Sequence, residues 1–398
     1  MNRLIGLGVA AAAFASLAAF ERVSGVAAGG GPVHPADIEY RVLAPIESGN
    51  LLLFPVVRTE GRAPGTSPFL TLDEGIKSGQ VEVTEAGRVR GLVRPRGEGP
   101  GVRPQPIRGD QVNTLVLANN SDKPLLLLAG EVVTGGKQDR VIAKDRIVPP
   151  GADPIDLGVF CIEPGRWTES SATFGASNKA PAASFMVQPS VREQAMAAKD
   201  QQQVWNSVRG AIAETVTVTA GAGGPEVLHD PESARGLNTT SYAKAMQNPK
   251  VQKKVDEAVA PLTNSREQVL ARLKQEQAVG VVVAVRGELV WADIFADTDL
   301  LAKYWTKLVR SYAAESLTGG EGQAAPTVAD AQRFLDAPLE GSETSEGDVG
   351  VYRYTEYKSG GAETFVLRAL AKDTNYDVHI SRLKLRGEVR HPRPPVLY

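Results

Sequence analysis

The chain has 398 residues, with 44 Lys and Arg against 46 Asp and Glu, a formal net charge of −2. That even balance gives no electrostatic case for nucleic acid or anionic lipid, so neither is expected as a partner. One cysteine and four widely separated histidines exclude an intrachain disulfide, a thiolate-rich metal site and a histidine metal centre.

The first residues read MNRLIGLGVAAAAFASLAAFERVSGVAAGGG. Arg3 supplies a short positive region, residues 4–20 an apolar run, and Val26, Ala27 and Ala28 a small-residue cleavage site. This pattern predicts a Sec signal peptide over 1–28 and export to the periplasm or cell exterior. The apolar run is short for a hydrocarbon layer of about 30 Å, although an uncleaved anchor is the alternative. No later stretch is apolar and long enough to span a bilayer, so no membrane span is expected after cleavage. Residues 29–37 read as a flexible leader, and the length beyond it favours two lobes over one core.

Residues 38–189 predict a strand-rich lobe. NLLLFPVVR, GQVEVTEAG, VNTLVLANNSD, PLLLLAGEVV and DLGVFCIE are short β-branched or leucine-rich runs bounded by turn residues. TLDEGIKSG predicts a helical turn, with Thr71 as N-cap, Glu74 completing a capping box and Gly79 as the stop. Arg94 to Asp110 is a Pro/Gly/Arg loop whose charge faces solvent or a ligand.

Residues 190–340 predict a helical and strand–helix part. Ser190 and Glu193 suggest a capping box ahead of one long helix carrying Trp205, Val208 and Ile212. SYAKAMQNPKVQKKVDEAVAPL predicts two helical pieces broken at Asn248 and Pro249, and SREQVLARLKQEQ another helix. A Gly/Pro/Ser-rich loop lies at 219–240. VGVVVAVRGELVWADIF predicts two strands joined at Arg286 and Gly287. The following helix places Leu301, Tyr304, Trp305, Leu308 and Tyr312 on one side, a core stripe. TVADAQRFLDA is a short helix. Residues 341–398 predict a hairpin, a third strand in YDVHISRLKL and an irregular tail. The fold class is α+β: a strand-rich N-terminal half, a helical middle, and a smaller strand–helix unit with a C-terminal hairpin.

The most chemical stretch is GEVVTGGKQDRVI, residues 130–142. A mononucleotide loop requires Lys and then Ser or Thr after its last glycine, but Gly136 follows Gly135, and Gln138 follows Lys137. No dinucleotide fingerprint is present either, and no cofactor is expected. What remains is a Gly135–Gly136 two-residue hairpin turn. Glu131 follows four leucines, and its burial demands a partner. Arg140 would supply a forked cation, Lys137 a weaker one. About twenty residues on, CIEPGRW adds Cys161, the pair Glu163 and Arg166, and Trp167. If the two segments lie side by side, Gln138, Arg140, Glu163, Arg166 and Trp167 form a polar cleft suited to an anionic or nucleotide-like ligand. The same residues equally make a buried ion-pair brace.

The stretch NNSDKPLLLLAGEVVTGGKQDRVIAKDRIVPPGADPIDLGVFCIEPGRW resembles the ADP-ribosylglycohydrolase- and rhodanese-phosphatase-superfamily-associated protein domain. Gly130, Glu131, Gly135, Lys137, Gln138, Arg140, Cys161, Glu163, Gly165, Arg166 and Trp167 fall on its two boxes. Asp139 and Pro164 depart from it, standing where the pattern has Asn and Gln. The resemblance runs from about Ile38 to beyond Leu317. It implies neighbours that handle ADP-ribose and phosphate esters, and carries no activity across to this chain.

Three functions follow. The first is an exported binding module for a small anionic ligand, using Glu131, Lys137, Gln138, Arg140, Glu163, Arg166 and Trp167. The second is a hydrolase, with Glu163 or Glu131 as general base or Cys161 as nucleophile. The third is an interaction protein presenting Tyr352, Tyr354 and Tyr357, its protein partner unidentified.

Overall fold

The computed structural model describes residues 39–59, 69–95, 103–107, 109–175, 185–220, 239–263, 266–317, 322–339, 341–359, 361–370 and 375–385. The expected signal peptide and leader, residues 96–102 and 108 of the Pro/Gly/Arg loop, most of the 219–240 loop and the tail lie outside those residues.

In chain order, the first part carries β1 (Tyr40–Val42), β2 (Ile46–Ser48), β3 (Leu51–Arg58), β4 (Leu70–Thr71), α1 (Leu72–Lys77), β5 (Val81–Glu85), β6 (Leu92–Val93) and β7 (Gln105–Pro106). There follow β8 (Thr114–Asn119), β9 (Leu125–Leu127), β10 (Val132–Val133), β11 (Arg140–Ile142), β12 (Arg146–Val148) and β13 (Ile155–Cys161). The helical middle holds α2 (Pro189–Glu193), α3 (Gln201–Ala220), α4 (Tyr242–Met246), α5 (Pro249–Thr263) and α6 (Arg266–Gln275). Then come β14 (Ala278–Val285), β15 (Glu288–Phe295), α7 (Thr298–Leu317), α8 (Val328–Asp336), β16 (Ser342–Asp348), β17 (Tyr352–Ser359), β18 (Ala362–Leu370) and β19 (Asn375–Lys384). The class is α+β as expected.

The largest sheet, nine strands among the described residues, runs β1-β3-β14-β15-β19-β18-β17-β16, with β2 also on β3. Its interior strand β14 is AVGVVVAV, a run buried along its whole length, as a continuously apolar strand must be. Pro55 is tolerated inside β3 because its carbonyl faces Leu43, between the short partners β1 and β2, where no ladder donor is needed. The β14–β15 turn uses Arg286 and Gly287, both at positive φ, as the sequence predicts. One face of this sheet meets α7, whose Leu301, Tyr304, Trp305, Leu308 and Tyr312 are all buried. Beneath the same core lie Leu126, Leu128, Val132, Val141 and Ile162 from the smaller sheets. The opposite face carries α8, through Ala331 and Phe334. Because N-terminal β3 pairs with β14, the two lobes expected from length are not separate bodies, and Pro35–Tyr398 falls into one unit.

The smaller sheets are a five-stranded β10-β11-β13-β8-β5, a three-stranded β12-β9-β4 and the pair β6-β7. They enclose a second core of Val83, Leu115, Leu117, Leu127, Ile142 and Leu157. Thr71 and Glu74 form the predicted capping box at α1.

Four expectations need correction. The Gly-Gly hairpin is longer than two residues: Val133 pairs with Arg140, so Thr134 to Asp139 form the loop. Ser190 and Glu193 form no capping box, because α2 already starts at Pro189 and the Ser190 N–H is taken by Glu315. The single long helix is broken, since a π turn over Gln194–Ala198 ends with Lys199 at φ 53 before α3 begins. Finally, Tyr352, Tyr354 and Tyr357 are buried in the cores on the two sheet faces, which removes them as an interaction surface. The polar strand β16 was not anticipated, since SETSEGD has no apolar alternation to reveal it.

Candidate functional site

The site is built at one end of the five-stranded sheet. There β11 and β13 pair antiparallel with Arg140 opposite Cys161, so each box continues from its strand into a loop on the same side. The two loops are laced by their backbones. Ser170 donates its N–H to Gly136 O at 2.8 Å and Gly175 donates to Thr134 O at 2.8 Å. The Gly136 N–H donates to Ser171 Oγ at 3.0 Å. Gly136 sits at φ 49, and any Cβ there would strike the Phe174 ring, so both the turn and the close approach require glycine.

Glu163 is the hub, its side chain 2 % exposed. Its Oε2 lies 2.6 Å from Arg166 Nη2 and accepts the Asp139 N–H at 3.2 Å. Its Oε1 receives Lys244 Nζ, from α4, at 3.1 Å. Burial pushes this carboxyl up, but the hydrogen bonds from Arg166, Lys244 and Asp139 outweigh it and hold Glu163 below the usual carboxylate range. Asp139 accepts the Gly135 N–H at 3.0 Å and the Ser241 hydroxyl at 2.9 Å. Burial and the neighbouring Glu163 charge both raise its carboxyl. Gln138 donates to Glu163 O at 3.1 Å. Arg166 also donates to Gly136 O at 3.1 Å and Thr168 O at 2.7 Å. The buried half of the site is therefore a clamp with its charges matched.

Its outer half differs. Arg140 is 0 % exposed and, among the described residues, has no carboxylate at ion-pair distance, though the Glu85 and Asp139 charges act on it; its Nε donates to Val112 O at 2.8 Å, while Nη2 has no hydrogen-bond partner among the described residues. Above it stands Trp167, 44 % exposed, with the Arg140 Cζ 5.9 Å and the Lys137 Nζ 5.1 Å from its ring centre. Lys137 is tied to Asp110 at 2.7 Å, and its backbone N–H to Glu85 at 2.7 Å. Burial raises the Glu85 carboxyl. Two cations beside one indole make a stacking plate edged with positive charge.

Six of the seven sequence-predicted residues thus come together: Lys137, Gln138, Arg140, Glu163, Arg166 and Trp167. Glu131 does not join them. Its partner is neither Arg140 nor Lys137 but Lys307 on α7, at 2.6 Å, because the carboxylate points into the central core. Sequence reasoning missed Glu85, Asp110, Ser241 and Lys244. The first two precede both boxes and the last two follow them by some 75 residues, and no spacing in the chain ties them to the boxes.

The hydrolytic roles find little in this geometry. Cys161 is buried and burial raises its thiol, Glu163 is encased by cations, and Glu131 is sealed. Among the described residues no group of three or more His, Cys, Asp and Glu is arranged to hold a metal ion.

Fold and site together define an α+β domain with two charged loops laced over a sheet end. The model of the ARG and Rhodanese-Phosphatase-superfamily-associated Protein domain matches residues 39–383, and the chain belongs to that family. Comparison with curated proteins and with solved structures gives no match. Among the described residues no helix is long and apolar enough to cross a membrane.

Proposed function

We propose that this domain binds a small anionic ligand of the ADP-ribose or nucleotide type at the Trp167 plate, and that the chain is exported. The observation that carries the binding reading is the exposed indole flanked by Lys137 and by the buried Arg140. A planar base would stack on the ring, and an anionic group would draw Lys137 from Asp110 and meet the part-exposed Arg166, with Arg140 adding its charge from beneath. Gln138 and Glu163 hold the loops rather than touch the ligand. Export rests on the N-terminal pattern of Arg3, the apolar run and Val26, Ala27 and Ala28.

The clamp around Glu163 favours a second reading, in which the boxes serve stability alone. Calorimetric titration of the full chain with ADP-ribose, NAD, nucleotides and sugar phosphates separates the two. The binding reading predicts saturable heat with at least one of them, weakened by Lys137→Ala and by added salt. Absence of heat with the whole series leaves the clamp as the sole role.

A further inference from the structure

Away from the laced loops, Lys307 carries its ammonium from the middle of α7 into a pocket of two carboxyls. Its Nζ lies 2.6 Å from Glu131 Oε1 and 2.7 Å from Asp73 Oδ2. Exposure of the three side chains is 5 % for Lys307, 0 % for Glu131 and 27 % for Asp73. Leu72 and Leu128 are fully buried on the adjoining segments, and the Tyr304 ring centre is 5.9 Å from Nζ. Glu131 is held through both oxygens, since Oε2 accepts the Leu128 N–H at 2.7 Å. Asp73 is not: its Oδ1 is buried with no hydrogen-bond partner among the described residues.

Two carboxyls facing one ammonium leave the cluster with an excess negative charge, which a dry site resists. Burial raises both the Asp73 and the Glu131 carboxyls against the pull of Lys307. A proton held on one of the acids removes the excess. Asp73, with its unpartnered oxygen, is the better seat for it. The cluster then contains a carboxylic acid, a lysine nitrogen in contact with it and a second carboxylate beside both.

We propose that Asp73 and Lys307 become joined by an intramolecular isopeptide bond, with Glu131 carrying the proton. With Asp73 protonated, Lys307 gives one proton to the Glu131 carboxylate, leaving a free amine against a carboxylic acid. The nitrogen lone pair attacks Cγ and the N–C bond forms. Glu131 delivers its proton to the departing hydroxyl and takes a second from the nitrogen, which it keeps; the Cγ–Oδ2 bond breaks and one water leaves. The third proton remains as the amide N–H, facing Glu131. Asp73 Oδ1 becomes the amide carbonyl oxygen, which costs less to bury than an unpartnered carboxylate oxygen. Contact fixed by the fold supplies the proximity, for which effective molarities reach roughly 10⁵–10⁸ M. The product ties α1 to α7, linking the smaller sheets to the helical layer.

Peptide mass spectrometry on the denatured, protease-digested full chain tests this. The expected result is a branched peptide joining the Asp73 and Lys307 segments, lighter than its two parts by one water, and absent from Asp73→Ala and Lys307→Arg. Glu131→Gln, checked for folding by circular dichroism, should retain both residues as unlinked peptides. Complete recovery of unlinked Asp73 and Lys307 peptides from the unsubstituted protein overturns the proposal. A link that persists in Glu131→Gln overturns the role given to Glu131.

Discussion

Arg140 and Cys161 stand directly opposite one another across β11 and β13. That register decides the fate of both boxes: the residues before Arg140 and after Cys161 leave the sheet at the same end and are laced into one surface. Cys161 is buried on the same face as Arg140, and Glu163 donates its N–H to the sulfur at 3.4 Å. The thiol is part of the packing beneath the site, while chemistry accessible to a ligand lies above it at Trp167.

Cys161 is therefore expected to resist thiol reagents in the native protein and to react readily once denaturant is added. Burial keeps the thiol protonated as well as covered. Native-state labelling followed by mass spectrometry measures this, and fast native reaction would restore a nucleophilic role.

Glu163→Gln should cost about 2–4 kcal/mol of unfolding free energy, since an amide leaves Arg166 and Lys244 without their shared anion. Because the folded carboxyl is held below its unfolded value of about 4.3, its stabilisation is present above that pH and is lost as pH falls through the folded value. Urea denaturation between neutral pH and about pH 3 should show a shallower acid loss in the variant.

A second buried network gives the opposite slope. His379 is sandwiched between Asp145, at 2.6 Å, and Asp293, at 3.1 Å, with all three side chains sealed from solvent. Asp293 also meets Arg192 at 2.8 Å, and the Tyr312 hydroxyl donates to it. Burial opposes the imidazolium, but the two aspartates prevail and push His379 up to about 9. Its folded value exceeds the unfolded value of about 6.5, so the stabilisation is complete below that pH and disappears as pH rises through about 9. The loss should be about 3 kcal/mol by the linkage relation. Denaturation at pH 6 and pH 9.5 should reveal it, and His379→Gln should abolish the difference.

Gly136→Ala should destabilise by about 2–3 kcal/mol, more than Gly79→Ala at about 1 kcal/mol. Both residues have positive φ, but a Cβ at Gly136 meets Phe174 and Glu85, whereas Gly79 has open space around it. Paired melting curves of the two variants check the order.

Local signals were legible wherever neighbours in sequence are neighbours in space. The Thr71–Glu74 cap, the break at Pro249, the Arg286–Gly287 turn and the aromatic stripe of α7 all have that character. The meeting of the boxes was legible too, because one strand pairing produces it. Partners supplied by distant elements were not: Lys307 for Glu131, Lys244 for Glu163, and the whole Asp145–His379–Asp293–Arg192 network. An isolated histidine or lysine in a helix or strand carries no mark of the carboxylate it will meet. The π turn before Lys199 escaped for another reason, since its residues are ordinary helix formers and only the left-handed Lys199 ends the run.

The most direct test of the ligand site is the thermal shift of the full chain with ADP-ribose, NAD, nucleotides and sugar phosphates, repeated on Trp167→Ala. The account predicts that at least one of these compounds raises the melting temperature, and that Trp167→Ala, half-exposed and outside the clamp, melts like the unsubstituted protein yet loses the shift. No shift with any compound, together with unfolding of both Arg140→Ala and Arg166→Ala, would contradict it and leave the two boxes as a brace.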